Sequence, residues 1–238
     1  MKNYLVKTLF KVQDSNWHFK DRAEEGNLFD HYVRAHELSL QSFNKFLKGD
    51  FEFRFYSGEV ANINDAFRNT FWLIHDLWHT EPCNILYTDP DTIAIKPIDP
   101  WHYDKFMMFN YTDPKSLEID DKVLVEHFFN AGVRYFPSTM TQHTWGLGRN
   151  LAINWDKSNY HTEQLILNNM LWSQGLSPEQ ALDKSMNWAL FVNMDRNVSD
   201  EFNQTDINTA KIIHLHASRD IKMVVKIMED FVPKIVLT

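Results

Sequence analysis

The sequence predicts an α/β fold: a single Rossmann-like domain over residues 1–238, with a mostly parallel central sheet flanked by helices. The first observation behind this prediction is that short strand-like segments alternate with longer segments of helical periodicity along the chain. The second is that no internal repeat, block of like charges or Gly/Ser linker divides the 238 residues. Open sheets of this class bind ligands beyond the carboxyl ends of their strands, so functional residues are expected there.

The N-terminal part of the chain supplies three predicted strands and two predicted helices. Apolar residues at alternate positions predict the strands, and apolar residues three or four positions apart predict the helices. Lys48 and Gly49 close the first helix, and Pro82 ends the second because proline has no N–H to continue it. In chain order these elements are strand 4–12, helix 28–47, strand 51–56, helix 64–79 and strand 84–87.

The C-terminal part continues the same alternation. A predicted helix at 160–172 stops at Gly175, since glycine readily adopts the left-handed conformation that ends helices. The segment Ser177-Pro178-Glu179 has the residue types that start a further helix. The remaining predicted elements are strands 105–110, 128–136 and 211–215 and an amphipathic closing helix, 221–231.

The composition excludes several classes of protein. Hydrophobic residues make up 44% of the chain, which excludes intrinsic disorder, and the net charge of −8 argues against a global basic surface for nucleic acid. The single cysteine, Cys83, excludes an internal disulfide framework and suits a reducing compartment. Lys7 and Lys11 interrupt the N-terminal apolar segment, so neither a signal peptide nor a membrane span is predicted. We expect a cytoplasmic protein with no membrane partner, and the sequence leaves the oligomeric state open.

The strongest local signal for chemistry is Asp89-Pro90-Asp91, which follows the predicted strand 84–87. In an extended segment residues i and i+2 point the same way, so two carboxylates can bind one hard cation. A polar turn is the structural alternative, because aspartate and proline also form turns. The position at the carboxyl end of a buried strand favours a ligand site.

Four segments, taken together, resemble the GT-A fold nucleotide-sugar glycosyltransferases, and their order is that of the glycogenin-like retaining group, family 8. The likeness extends over roughly residues 60 to 220. Two of the family's motifs are altered here. Glu163 and Leu165 replace the two aspartates of its DQD, and in place of its HFxGxxKPW ending this chain has Arg219 after the last strand, where it could take the role of the family's lysine. The segments are ILYTDPDTIAIKP (85–97), FNAGV (129–133), EQLILN (163–168) and IIH (212–214).

The resemblance implies a metal-dependent site for a nucleotide-sugar donor, with a UDP-sugar as the expected donor. Asp89, Asp91 and His214 would hold Mn²⁺ or Mg²⁺, because an oxygen-rich set with one imidazole suits these cations better than structural zinc. Gln164 would lie under the anomeric carbon, with Glu163 on a sugar hydroxyl. The expected donor-binding residues are Arg68, Asn130, Ala131, Gly132, His216 and Arg219.

The resemblance also implies a reaction that retains the anomeric configuration and needs no dedicated base. An inverting enzyme would instead need a carboxylate base, for which Glu163 is the candidate. The acceptor is either a saccharide or, in a bacteriophage-type enzyme of an infected host cell, a hydroxymethylated base such as hydroxymethylcytosine in DNA. Arg134, Arg149 and Arg219 are the candidates to contact a DNA backbone, and Trp145 or Trp188 to line an acceptor site.

Two further hypotheses come from other functional classes. His75 and His79 lie four residues apart on a predicted helix, with Asp76 where the metalloprotease motif HExxH has glutamate, and this spacing is compatible with a zinc hydrolase. Aspartate is one methylene shorter than that glutamate, and the helix ends soon afterwards. The third hypothesis is a nucleotide-binding module without catalysis, which would bind a nucleotide sugar and never cleave it.

Overall fold

A computed structural model gives the structure of the protein. It describes residues 1–13, 28–99, 103–109, 111–113, 117–119, 122–125, 128–154, 162–176, 184–189, 191–192, 198–199, 207–215 and 221–237. The longer elements are β1 (Lys2–Val12), α1 (Leu28–Phe46), β2 (Phe51–Val60), α2 (Ile63–Thr80), β3 (Cys83–Thr88), α3 (Gln142–Asn154), α4 (Thr162–Trp172) and α5 (Ile221–Leu237). The short strands are β4 (Thr92–Ala94), β5 (Met107–Met108), β6 (Tyr111–Asp113), β7 (Leu117–Ile119), β8 (Lys122–Val125), β9 (Phe128–Phe129), β10 (Val133–Phe136), β11 (Trp188–Ala189), β12 (Phe191–Val192), β13 (Val198–Ser199) and β14 (Ile212–His214).

The predicted α/β class is confirmed, with a mostly parallel central sheet and flanking helices. The sheet has the order β2-β1-β3-β10-β5. β1 is parallel to both of its neighbours, whereas β10 is antiparallel to β3 and to β5. β1 and β3 are buried along most of their length, as expected for strands that helices cover on both faces.

A second, three-stranded sheet has the order β11-β14-β4. Its strand β4 follows the Asp-Pro-Asp segment directly along the chain. The chain leaves the central sheet at the end of β3 and enters the second sheet at β4. β14 runs antiparallel to β4 and places His214 opposite Thr92. The crossing between the two sheets therefore brings together residues that are more than a hundred positions apart in the sequence.

The closing helix α5 packs against α1, and together they cover the second sheet. The sequence predicted an end at residue 231, but α5 continues through Pro233 to Leu237. Lys45 of α1 explains part of the extension: its Nζ donates to the carbonyl oxygens of Ile235 (2.8 Å) and Val236 (3.0 Å). A lysine at a helix C-terminus satisfies carbonyl groups that have no partner within the helix.

Three predictions of local structure need correction. The predicted strand 128–136 is two strands, β9 and β10, which belong to different sheets and are separated by a bend at Asn130–Gly132. Of the predicted strand 105–110, the structure describes residues 105–109, and among these only Met107 and Met108 are in a strand. Helix α3 was not predicted, because it contains two glycines and has weak amphipathic periodicity.

The other predicted elements agree with the structure to within a few residues. β2 extends four residues beyond the predicted end. Gly175 has φ of 68° and ends the segment after α4, as predicted. The helix predicted from Ser177 lies outside the described residues. None of the helices that the structure describes has both the length and the apolar character needed to cross a membrane.

Candidate metal centre

Asp89, Asp91 and His214 converge at the crossing between the two sheets. His214 Nε2 lies 3.2 Å from Asp91 Oδ1 and 3.9 Å from Asp89 Oδ2, and one ligand atom from each residue falls within 4.8 Å of the others. Asp91 and His214 are buried, whereas 33% of the Asp89 side chain is exposed. Over the described parts of the chain, no other group of three or more His, Cys, Asp or Glu side chains is close enough to share a cation. Two carboxylates and one imidazole form a donor set that fits a divalent cation.

Backbone hydrogen bonds hold the Asp-Pro-Asp segment from both sides. The Asp89 N–H donates to the Gly132 carbonyl oxygen (2.8 Å), and the Leu215 N–H donates to the Asp91 carbonyl oxygen (2.9 Å). Within the segment, Thr92 Oγ1 donates to the Asp89 carbonyl oxygen (2.6 Å). The turn that the sequence offered as the structural alternative is therefore present, and it is the turn that aims both carboxylates at His214.

Gly132 is required by the close approach of His214. A Cβ atom on residue 132 would overlap Cε1 and Nδ1 of the His214 ring and would lie 2.9 Å from Asn130 Oδ1. Atoms in proteins do not pack so closely, so any other residue would displace the imidazole. The glycine of the FNAGV segment thus makes room for the imidazole that faces the two aspartates.

Lys7 lies beneath the turn formed by residues 89–91, called the metal-site turn below, and was not identified from the sequence. Its Nζ donates to Thr88 Oγ1 (2.6 Å) and to the Asp89 carbonyl oxygen (3.0 Å), and it lies 5.0 Å from the centre of the Phe43 ring. Burial lowers the pKa of Lys7 to about 7, against the opposing effect of the Asp89 and Asp91 carboxylates. The available signal was a lysine between the apolar pairs Leu5-Val6 and Leu9-Phe10 of a predicted strand.

Arg134 and Glu163 form a buried ion pair next to Asp89. The guanidinium donates to Glu163 Oε1, lies 3.9 Å from Asp89 Oδ1 and stacks 4.0 Å from the centre of the Tyr87 ring. The sequence made Arg134 a candidate for contact with a DNA backbone. That interpretation is wrong, because only 1% of the side chain is exposed. Arg149, a second candidate, is exposed on α3.

Asn130, Ala131 and Gln164 lie together beside the metal-site turn. Asn130 Oδ1 accepts hydrogen bonds from the Gly132 N–H (2.8 Å) and from Asn187 Nδ2 (3.0 Å). Gln164 Oε1 accepts one from the Ala131 N–H (3.0 Å). These bonds fix the bend that separates β9 from β10. Asn187, which is fully buried, was not singled out from the sequence.

Asn168 ties helix α4 to the same region. Its Oδ1 accepts from the Phe129 N–H (2.7 Å), and its Nδ2 donates to the Phe129 carbonyl oxygen (3.0 Å). The amide thus pairs with the strand backbone as a neighbouring strand would. It explains why an asparagine follows Gln164 by four residues, one helical turn further along α4.

Arg68 and Glu163 line the same small pocket, between α2 and α4. Its remaining walls are Asn64, Phe67, Phe71, Ile166 and Leu167. The lining of the pocket is therefore mostly apolar, and Arg68 and Glu163 are its charged residues. The two other expected donor-binding residues, His216 and Arg219, lie outside the described residues.

The candidates from the alternative hypotheses are mainly core residues. Trp145 is fully buried and stacks on Phe136, with ring centres 5.5 Å apart, and Trp188 is also buried, so neither lines an open acceptor site. His75 and His79 stack with ring centres 5.7 Å apart on α2. Within the described residues no third ligand side chain joins them, so the geometry does not favour a zinc hydrolase.

Burial and charge both act on the groups of the metal centre. Burial raises the pKa of the Asp89 carboxyl, although His214 and Arg134 oppose the shift. Burial opposes the charged form of His214, but the Asp91 and Asp89 carboxylates outweigh it and raise the pKa of the imidazole above its usual value. In the absence of a cation, the centre therefore binds protons more strongly than isolated side chains would.

Comparisons with known proteins agree with this architecture. No protein-family model and no curated protein matches the sequence. The apo structure of WbbM, a bifunctional glycosyltransferase, aligns with 91% of this chain and 46% of its own, with a TM-score of 0.56 and 12% identity. A glycosyltransferase involved in the glycosylation of the major capsid of PBCV-1 aligns over 97% of this chain and 100% of its own, with a TM-score of 0.51 and 12% identity. The chain thus spans about half the length of WbbM and has a glycosyltransferase-like fold.

The close approach of His214 to Gly132 predicts that Gly132→Ala destabilises the protein. The added methyl group must displace a buried ring, and overpacking of this kind costs about 1–3 kcal/mol in the free energy of unfolding. Urea unfolding followed by circular dichroism measures it. Gly146→Ala is the matched control: nothing lies within 4 Å of the place its methyl group would take, and alanine in a helix should add about 0.5–1 kcal/mol. Equal stability of the two variants would contradict this prediction.

Proton binding at the metal centre predicts that its affinity for Mn²⁺ rises as the pH increases through neutrality. Asp89 and His214 both have raised pKa values, so a cation must displace protons, and fewer protons remain as the pH rises. Isothermal titration in two buffers of different ionisation enthalpy measures the affinity and the protons released. His214→Gln should flatten the pH dependence, whereas a pH-independent affinity in the unsubstituted protein would exclude the competition.

Proposed function

We propose that the protein is a metal-dependent retaining glycosyltransferase, which moves a sugar from a nucleoside-diphosphate sugar to an acceptor hydroxyl. The observation that carries the proposal is the convergence of Asp89, Asp91 and His214 at the end of β3, in a chain with a glycosyltransferase-like fold. The four sequence segments that resemble the glycogenin-like group support the same assignment. UDP as the nucleotide, Mn²⁺ as the preferred cation and membership of family 8 are parts of this proposal.

The proposed chemistry is the departure of a nucleoside diphosphate from the sugar. A divalent cation on Asp89, Asp91 and His214 would stabilise the negative charge that develops on the leaving diphosphate. Lys7 and the backbone bonds of the metal-site turn keep the two carboxylates in place. Arg68 and Asn130 are proposed to bind the donor, and Arg219, His216, Ala131 and Gly132 are assigned to the donor site on the sequence resemblance.

The pairing of Glu163 supports retention over inversion. An inverting enzyme needs a carboxylate that is free to take the proton of the acceptor. Glu163 is instead engaged by the buried Arg134 guanidinium, and only 11% of its side chain is exposed. In the retaining route the departing phosphate oxygen takes that proton, so no free carboxylate is required. Gln164, whose amide oxygen accepts from Ala131 N–H, would lie beneath the anomeric carbon.

A saccharide is the acceptor that we favour over a modified DNA base. The DNA hypothesis relied on three arginines that would contact the backbone, and the burial of Arg134 removes one of them. A hydroxymethylated base in DNA, the acceptor of a bacteriophage-type enzyme, is therefore the second acceptor class. The acceptor experiment below includes it.

Asp91→Asn should abolish metal-dependent cleavage of a nucleotide sugar. Removal of one carboxylate ligand should lower turnover by at least about a hundredfold, because even residues that only support metal ligands cost ten- to a hundredfold. Release of nucleoside diphosphate from a panel of nucleotide sugars, with Mn²⁺ or Mg²⁺, measures turnover. The variant should remain folded, which circular dichroism checks, although loss of the buried Asp91 charge beside His214 should lower the free energy of unfolding.

Two controls separate this proposal from the other functional classes. Asp76→Asn changes an exposed aspartate beside His75, and it should leave turnover unchanged. If His79→Ala abolished activity while Asp91→Asn did not, the zinc-hydrolase hypothesis would replace the present one. Binding of every nucleotide sugar without cleavage, in the presence of Mn²⁺, would instead indicate a binding module. Full activity in a chelator would contradict metal dependence.

Retention predicts an α-linked product from an α-linked donor. Proton NMR of the purified product identifies the anomer, and the acceptors tested should include simple glycosides and duplex DNA with and without hydroxymethylcytosine. A β-linked product would overturn retention and move Glu163 into the role of base. Transfer to hydroxymethylated DNA alone, with a strong dependence on salt, would reverse the order of the two acceptor classes.

A further inference from the structure

The outer edge of the central sheet is a long, regular strand. β2 pairs with β1 residue by residue from Phe51 to Val60 without a bulge, and no strand pairs with its other edge within the described residues. Proteins usually protect such edges with lysine, proline or a bulge, because an unpaired row of N–H and C=O groups can pair with another chain. β2 has neither lysine nor proline.

β2 also exposes aromatic side chains. Phe53 is 37% exposed and Phe55 is 49% exposed, and the ring of Phe55 stacks on His36 of α1 at 4.1 Å. Aromatic residues on both sides of an antiparallel strand pair contact each other and stabilise the pair. The edge therefore offers both backbone hydrogen-bonding groups and apolar surface.

The sequence of the first five residues of β2, Phe-Glu-Phe-Arg-Phe, is complementary to itself in the antiparallel direction. When two copies are related by a two-fold axis at Phe53, Glu52 lies opposite Arg54 of the other copy, and Phe51 lies opposite Phe55. Residues directly opposite each other share a face of the sheet. Both Glu52–Arg54 pairs therefore lie on one face of the joined sheet, and the phenylalanine pairs lie on the other. A shift of the axis by one residue, to either side, would place two arginines or two glutamates opposite each other.

We propose that this edge is a homodimer interface, in which β2 pairs antiparallel with β2 of a second copy of this chain. The two central sheets then form one continuous sheet across the two-fold axis. Glu52 and Arg54 share one face of β2: Arg54 donates to Glu52 of its own strand at 2.9 Å, and both side chains are nearly half exposed. Their other contacts are with β1, where Arg54 lies over the Tyr4 ring and Glu52 lies 3.9 Å from Lys2. In the dimer each arginine reaches the glutamate of the opposite strand. This interface is independent of the proposed enzymatic activity.

The charge pairs provide the first test, by sedimentation equilibrium of the full chain over a range of concentrations. The dimer contains two Glu52–Arg54 pairs. In a Glu52→Arg dimer both pairs consist of two arginines, and in an Arg54→Glu dimer both consist of two glutamates. Each variant should weaken dimerisation by about tenfold or more, since two favourable pairs become repulsive. An equimolar mixture of the two variants should restore the dimer, because opposite charges then meet in both pairs. Glu59→Arg, on the same strand but outside the paired segment, is the control that should have no effect.

A cysteine substitution tests the register. Phe53→Cys places two thiols directly opposite each other, with Cα atoms about 4.5–5.5 Å apart, which lies within the range of disulfide bonds. Mild oxidation should therefore give a covalent dimer on a non-reducing gel. In Phe55→Cys the two cysteines would lie four residues apart along the strand pair, so this variant should not crosslink. The native Cys83 is buried and should not interfere. Circular dichroism checks that each variant is folded.

Three results would overturn the proposal. The first is a wild-type protein that stays monomeric at all accessible concentrations, which would leave the edge to solvent or to a strand of another protein. The second is a dimer that neither charge reversal weakens. The third is equal crosslinking through Phe53→Cys and Phe55→Cys, since this would show association without the two-fold register.

Discussion

The rest of the site depends on two neighbouring carboxylates, Asp91 buried and Asp89 partly buried, whose negative charges must be compensated. Asp89 and Asp91 lie at the crossing between the two sheets, where burial strongly disfavours uncompensated negative charge. Lys7, Arg134 and His214 supply the compensation from three different elements. Each of these basic groups would be costly to bury without the carboxylates, so the five side chains stabilise one another and hold the two sheets at their crossing.

The same constraint explains the irregular backbone around the centre. His214 reaches the aspartates only by passing over Gly132, and the chain there bends away from the path of a continuous strand. Asn130 and Gln164 satisfy the backbone N–H groups that the bend leaves without strand partners. Polar side chains that hydrogen-bond to the bend replace the ladder of a sheet, which is why amides rather than apolar residues occupy these core positions.

The sequence could predict what depends on local pattern. Periodicity identified β1, α1, α2 and β3, and the Asp-Pro-Asp segment identified two of the three members of the metal cluster before any geometry was known. The division of 128–136 between two sheets was missed, because Asn130 at the bend is held by Asn187, which lies more than fifty residues further along the chain. Lys7 and Arg134 were missed or misassigned for a related reason: a charged residue in the sequence does not reveal whether its partner is water or a buried carboxylate.

The charges of the centre also bear on the kind of ligand that it suits. Without a cation, a proton on His214 helps to balance the carboxylates, which is why the pKa of its imidazole is raised. A divalent cation carries two positive charges and would compensate both carboxylates without that proton, while Lys7 and the Arg134–Glu163 ion pair stay in position. Mg²⁺ sites usually combine one or two carboxylates with phosphate oxygens of the substrate, because this cation takes more oxygen ligands than the protein supplies. Under the proposed function, the diphosphate of the donor would supply those further oxygens, which a neutral sugar alone does less well.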